Sequence, residues 1–228
     1  GLYYRRDEQV FNGGKQFIVY QEDSFRLVLQ LHVQMPVVSN MEPQETIKAQ
    51  LMDARGLDRT LDRMARQIVE LLNPDRREEE KYALIGMQTR GVYLAERLQQ
   101  KIAEVEGINL PVGVLDVTMY RDDFRERLKQ PRVQVTRIPF DVYGRDIVLI
   151  DDVLYTGRTA RAGLDALMDR GRPSSVRFLV MIDRGHRELP ICTDIVGRKV
   201  PTTPGEEVRV RLSEVDDTDG VWLVEHSA

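Results

Sequence analysis

The chain has 228 residues, 42% hydrophobic and 31% charged, which is long enough for one substantial core and excludes a disordered or low-complexity protein. No apolar run approaches the roughly 20 residues that a bilayer-spanning helix needs, and a net charge of -4 restricts any nucleic-acid contact to a local basic patch. A single cysteine, Cys192, and three scattered histidines, His32, His186 and His226, exclude an internal disulfide framework, give no metal-ligand spacing and fit a reduced, cytoplasmic setting.

Residues 1–40 lack the charged start, apolar core and small-residue cleavage site of a signal peptide. Residues 17–20 and 25–33 have strand-like composition, but a regular pattern begins only after Met41. Residues 1–40 are therefore read as an N-terminal extension of unassigned role, upstream of a natural start, with one domain over 41–228. Leu57, Leu61, Met64, Ala65, Ile68, Val69 and Leu72 recur at three and four, predicting an amphipathic helix that Asn73 and Pro74 stop.

Residues 82–86 form a short buried-strand candidate, followed by a helix over 92–102 with Leu94, Ala95, Leu98 and Ile102 inward. Strands are expected at 112–117 and 133–138, separated by a charged stretch, 120–130, without a clear period. The plainest strand is 147–150, and the helix after it, 159–170, is closed by Gly171 at a position suited to a left-handed cap. Residues 176–182 give another buried strand, and 208–212 and 221–224 read as strands added at an edge. Strands alternating with helices predict a mostly parallel sheet covered on both faces.

The chemistry concentrates in VLIDDVLYTGRTA, residues 148–160. In an open parallel sheet, ligands bind beyond the carboxyl ends of the strands, and Asp151 and Asp152 follow the strand at 147–150. Thr156, Gly157, Arg158 and Thr159 then form a turn into a helix amino terminus, where backbone N–H groups and the helix dipole favour a phosphate. Acids at one end and an anion cradle at the other suit a phosphorylated sugar. An Asp-Asp pair alone occurs in several unrelated magnesium and phosphate sites, and a Thr-Gly turn alone is weaker still.

The full segment, Val153, Leu154, Tyr155 and Ala160 included, resembles the 5-phosphoribosyl-1-pyrophosphate (PRPP) signature of type I phosphoribosyltransferases. The loop GMQTRG at 86–91 is similar to the pyrophosphate loop of the same class, which makes Thr89, Arg90 and Gly91 candidate pyrophosphate contacts. YRDDF at 120–124 resembles its mobile catalytic loop, with Arg121 the residue expected to reach the leaving group. A solvated hairpin tip is the competing reading of that loop.

More narrowly, LDVTMYRDDF at 115–124, DRGHRELP at 183–190 and VGRKVP at 196–201 resemble the bacterial pyrimidine-operon attenuation regulators that also have uracil phosphoribosyltransferase activity. The resemblance covers residue 53 onward. It implies a type I phosphoribosyltransferase fold with a small hood, and transfer of phosphoribose from PRPP to uracil, giving UMP and pyrophosphate. It also implies Mg²⁺ carried by PRPP near Asp151 and Asp152, a base site at Ile182, Asp183 and Arg184, and a homodimer or higher homo-oligomer. His186 and Arg187 read equally well as ligand contacts and as an internal salt-bridged turn with Glu188.

The same resemblance implies UMP-responsive binding of operon leader mRNA. Independently, Arg55, Arg59, Arg63 and Arg66 are spaced by four, four and three along the first helix, a basic stripe that Arg198 extends near a Gly197 turn. Asp58 and Asp62 lie within a turn of those arginines, Asp62 at the i,i+4 distance from Arg66, so a salt-laced solvated face is the competing reading. The family carries Thr and His where this chain has Asp62 and Arg66, and Arg in place of Cys192. The alternatives to a bifunctional enzyme are a UMP-sensing regulator with little catalysis and a phosphoribosyltransferase for another base.

Overall fold

The computed structural model describes residues 6–12, 15–22, 25–31, 45–72, 79–122 and 135–226, the first three segments as backbone only. Two compact units divide the chain, Gly1–Glu42 and Pro43–Ala228. In the first, β1 (Arg6–Asn12), β2 (Lys15–Glu22) and β3 (Phe25–Leu31) form an antiparallel sheet in sequence order. The strand expected at 17–20 lies inside β2; the one at 25–33 matches β3 through Leu31, and its last two residues fall outside the described ones.

The second unit is built on five parallel strands: β5 (Tyr82–Met87), β6 (Val112–Leu115), β7 (Asp146–Leu154), β8 (Ser175–Asp183) and β9 (Ile195–Lys199). Their order is β6-β5-β7-β8-β9. The chain therefore steps outward from β5 in one direction and then reverses, which places a topological switch point between β5 and β7.

Side chains alternate across this sheet as its pleat requires. Leu84, Val148, Ile150, Leu179 and Met181 pack with the apolar stripes of α1 (Ala54–Leu72) and α2 (Arg90–Glu106). Ala83, Ile85, Leu149, Phe178 and Val180 pack on the other side with Ala162, Ala166 and Leu167 of α3 (Arg158–Met168). Each fully buried aliphatic side chain contributes about 1.5–3 kcal/mol, so the sheet is held from both faces.

Several boundaries differ from the sequence reading. The helices at 57–72, 92–102 and 159–170 appear as α1, α2 and α3, and the strands at 82–86, 147–150 and 176–182 as β5, β7 and β8. The stop at Asn73 and Pro74 lies outside the described residues. Strand β7 runs on through both acids to Leu154 because β8 continues to pair with it as far as Asp183, whereas pairing with β5 ends at Ile150. Strand β6 ends at Leu115, before the expected 117.

The strand expected at 133–138 is reduced, among the described residues, to one antiparallel bridge between Arg137 and Val114. Val135 there is 78% exposed, so no buried face holds a ladder. Gly171 has φ 152, outside the left-handed helical region; α3 instead ends at Met168, and the N–H of the C-cap residue Asp169 donates to the Asp165 carbonyl.

The tail strands β10 (Glu206–Arg211) and β11 (Gly220–His226) do not extend the parallel sheet. They pair with β4 (Glu45–Met52) in a separate antiparallel sheet of order β10-β11-β4, a hood whose Val208, Val210 and Val221 join the α1/α2 side of the core. A one-turn helix, α4 (Ser213–Asp216), links β10 to β11. Gly197 lies inside β9 and not in a turn: a Cβ there would overlap the Met181 carbonyl oxygen of the neighbouring strand.

Candidate active site

The loop from β5 into α2 and the carboxyl end of β7 meet at the switch point. Neither glycine of GMQTRG tolerates a side chain: a Cβ on Gly86 would overlap the Gly91 carbonyl and the Val92 Cα where the chain folds back into α2, and one on Gly91 would overlap the Ile150 carbonyl oxygen of β7. Glycine is the residue that lets backbones come this near. Thr89 follows a cis peptide bond from Gln88, and Arg90 opens α2.

Asp151 is 8% exposed, and its Oδ1 accepts from the Asp152 N–H at 2.9 Å, while Asp152 Oδ1 accepts from the Val153 N–H at 2.8 Å. Burial, with the neighbouring Asp152 carboxylate adding to it, pushes Asp151 well above the ordinary carboxylate range. Burial raises Asp152 as well, against the opposing pull of Arg90.

The turn after β7 is shaped for an anion. Gly157 adopts φ 93 at the N-cap of α3, a conformation natural to glycine, with Leu189 and Ile191 packed where a side chain would start. The Thr156 carbonyl is taken by the N–H groups of Glu188 and Leu189. Among the described residues, no protein group accepts the N–H of Thr156 or Gly157, so these donors stand open at a helix amino terminus.

A cavity of about 550 Å³ opens here, walled on one side by Asp151, Val153, Leu154, Tyr155, Thr156, Gly157, Arg158, Thr159 and Ala160. Arg121, Arg184, Glu188 and the hood residues Gly205, Glu206 and Glu207 complete it. The Arg121 guanidinium donates to Thr159 Oγ1 at 3.3 Å, and Tyr120 donates its hydroxyl to Asp169 at 2.6 Å, which ties the start of the 120–124 loop to the end of α3. The rest of that loop, from residue 123, lies outside the described residues. Arg158 bridges Asp122 at 2.5 Å and Glu188 at 2.7 Å.

Arg184, 8% exposed, stacks over the Tyr155 ring at 3.9 Å and donates to the Glu206 carbonyl and Thr202 Oγ1. Burial works to raise Asp183, but the Arg187 guanidinium at 2.7 Å and the Gly185 N–H outweigh it and hold the carboxyl below its usual range. Arg187 thus pairs with Asp183, and Glu188 with Arg158, so the expected Arg187–Glu188 turn does not form; His186 bonds to the Thr202 carbonyl. Ile182 is fully buried beneath this loop.

Thr89, Arg90 and Gly91 do not line the cavity; they border the switch point beside it. Arg90 is held by a residue that sequence reading passed over: its Nε and Nη2 donate to the two oxygens of Asp216 at 3.0 and 2.6 Å. Glu206 was also missed, and Lys48 at 2.8 Å and the Thr203 N–H lower its pKa to about 2.

The basic stripe of α1 is sorted differently from the expected ladder. Asp58 and Asp62 both pair with Lys101 of α2 at 2.6 Å, leaving Asp62 unavailable to Arg66. Arg63 turns across to the carbonyls of Val196 and Gly197, and Arg198 to that of Leu51. Arg59, Arg63 and Arg198 line a second, shallow cavity of about 680 Å³ with Asp53 and Gly56, whereas Arg66 stands exposed outside it.

Comparison with known proteins matches residues 49–214 to the phosphoribosyl transferase domain family. The "Bifunctional protein PyrR" of Thermus aquaticus is 54% identical over 178 residues, 78% of this chain and 96% of that protein. The protein of the same name from Pelotomaculum thermopropionicum is 50% identical over the same shares. The one from Listeria monocytogenes serotype 4b is 48% identical over 76% of this chain and 94% of its own length.

Among solved structures, the hypoxanthine phosphoribosyltransferase of Trypanosoma cruzi superposes with a TM-score of 0.61 at 14% identity, covering 79% of this chain and 98% of that one. The Staphylococcus aureus hypoxanthine phosphoribosyltransferase gives 0.57 at 17%, over 79% and 93%. These two share the fold; the sequence relationship is with the first group. With its five-stranded parallel sheet, its hood and this level of identity, the chain belongs to the PyrR family of phosphoribosyltransferases.

Proposed function

We propose that this chain is a uracil phosphoribosyltransferase, moving the phosphoribosyl group of PRPP to N1 of uracil with release of pyrophosphate and formation of UMP. The observation that carries the reading is that Asp151 and every residue from Val153 to Ala160 wall one cavity, with the cations Arg121 and Arg184 on the same lining. In this reading the open N–H groups of Thr156 and Gly157 at the start of α3 take the 5′-phosphate. Asp151 and Asp152 accept from the ribose hydroxyls. Thr89, Arg90 and Gly91 meet the pyrophosphate at the switch point, and Ile182, Asp183 and Arg184 meet the base. Residues 41–228 form the catalytic domain and 1–40 an extension, in a cytoplasmic homodimer or higher homo-oligomer.

Displacement at an anomeric carbon passes through an oxocarbenium-like state, as in glycoside chemistry, and needs no covalent nucleophile from the protein. The residues have to orient two substrates, exclude water and place positive charge, that of Arg121 and Arg90, where the diphosphate gathers negative charge. Among the described residues no cluster of three His, Cys, Asp or Glu could hold a metal by itself. The adjacent carboxylates of Asp151 and Asp152 fit a magnesium ion held mainly by PRPP oxygens and water, as this ion prefers. When bound, it offsets the charge of the departing diphosphate.

A second role, UMP-dependent binding of pyrimidine-operon leader mRNA with transcriptional attenuation, is supported by the gathering of Arg59, Arg63 and Arg198 around one concavity. Both arms are testable together. Uracil, PRPP and Mg²⁺ are expected to yield UMP, and no UMP beside an active control enzyme would defeat the catalytic reading. Leader RNA is expected to bind more tightly with UMP and to weaken as salt rises. Equal, weak binding to unrelated RNA would defeat the regulatory one.

A further inference from the structure

Arg90 is gripped along one edge only. Nε and Nη2 of its planar fork go to the two oxygens of Asp216, a bidentate arrangement that fixes the plane as well as the position of the guanidinium. Among the described residues no protein acceptor takes Nη1, and the side chain remains 31% exposed. The guanidinium as a whole lies within electrostatic reach of Asp152.

Asp216 is itself held without help from any ligand. Its Oδ2 accepts from the Leu212 N–H at 3.0 Å, and its own N–H donates to the Leu212 carbonyl at 2.7 Å. The segment carrying it is clamped to α2 by Arg97, which donates to both oxygens of Glu214, both of Asp219 and the Ser213 hydroxyl. Arg90 and Arg97 are two turns apart on one helix face, so the clamp and the grip are parts of one attachment.

We propose that Asp216 is a positioning residue for phosphoribosyl transfer: by holding the Nε/Nη2 edge of Arg90 it presents the Nη1 edge to the diphosphate of PRPP. This rests on the reading of Arg90 as a pyrophosphate contact. A lysine cannot perform the task, since a single ammonium lacks two opposed edges. Nor is Asp216 a catalytic residue, because it reaches the substrate only through Arg90.

The test uses the full chain and the variants Asp216→Asn, Asp216→Glu and Glu214→Gln. Loss of one charged partner should raise the KM for PRPP and the dissociation constant of pyrophosphate on the order of tenfold in Asp216→Asn. The KM for uracil should stay within about twofold, since the base site uses other residues. Asp216→Glu should recover part of the loss, and Glu214→Gln, which leaves Arg97 its Asp219 and Ser213 partners and Asp216 its Leu212 N–H, should lower Tm while leaving the PRPP constants nearly unchanged.

Pyrophosphate binding measured by calorimetry reads the proposal even if the chain makes no UMP, so failure of the activity reading is told apart from failure of this one. If Asp216→Asn does not fold, the Asp216→Glu variant carries the test, with an intermediate loss of pyrophosphate affinity expected. Unchanged pyrophosphate affinity in a folded Asp216 variant, or a loss shared equally by uracil, would overturn the proposal.

Discussion

Asp151 is the residue at which stability and function pull apart. Its carboxyl is buried and lies against Asp152, and both influences favour the protonated form. A group whose pKa is higher in the folded chain than in the unfolded one contributes stability that is fully present below the ordinary carboxylate range. That contribution is lost as pH rises through the raised value. Asp151→Asn keeps an acceptor for the Asp152 N–H and removes the charge. The variant is expected to be more stable than the parent by about 1–2 kcal/mol near pH 8, a gain of the size found when a strained site is relieved. The gain should shrink toward zero near pH 4, and urea unfolding at both pH values checks it. A pH-independent difference would mean that the carboxyl is not destabilised by burial. Activity should fall in the same variant if the proposed acceptance of the ribose hydroxyls by Asp151 needs the charge.

At the scale of elements, the decisive contact is the one between the β5–α2 loop and β7. Gly91 and Gly163 both lie in helices, so alanine gains up to about 1 kcal/mol of helix propensity at either position. Their neighbours differ. The Cβ of Gly91→Ala would meet the Ile150 carbonyl, fixed in the sheet, whereas that of Gly163→Ala would meet the Met87 sulfur and the Leu149 methyl, side-chain ends that can turn away. Gly91→Ala is expected to destabilise by about 1–3 kcal/mol and Gly163→Ala by clearly less. Chemical denaturation of the pair reads the difference, and equal costs would show that the loop is free to lift off the strand.

The same contrast explains what could be read in advance. Residues 148–160 were legible because strand, acids, turn and helix start are contiguous, so a local pattern carries one side of the cavity. Strand β9 was not, since Ile195–Lys199 is short, contains a glycine and ends exposed, and only its partner β8 makes it a strand. Strand β4 was missed for a related reason: its ladder is with β11, far along the chain. Asp216 is 126 residues from Arg90, and no spacing rule connects an aspartate in a one-turn helix to an arginine at the start of a distant one.

For the whole molecule, the question is how much chain the activity requires. Strands β1, β2 and β3 pair with one another in Gly1–Glu42, while the parallel sheet, the hood and every candidate site residue belong to Pro43–Ala228. The described core is made of residues from Met52 to Val224, held on both faces of a sheet to which β1–β3 add no strand. A separate three-stranded sheet of this length is close to the lower limit of independent stability, and its unfolding should leave a cooperative unit behind it. Deleting residues 1–42 is therefore expected to leave a single main thermal transition, with Tm shifted by no more than about 3 °C, less than the shift that loss of one good core contact produces. The KM values for PRPP and uracil should be unchanged within about twofold, since every candidate site residue is retained. Insolubility of the shortened chain, or loss of most of its UMP formation, would place part of the catalytic unit in the first 42 residues.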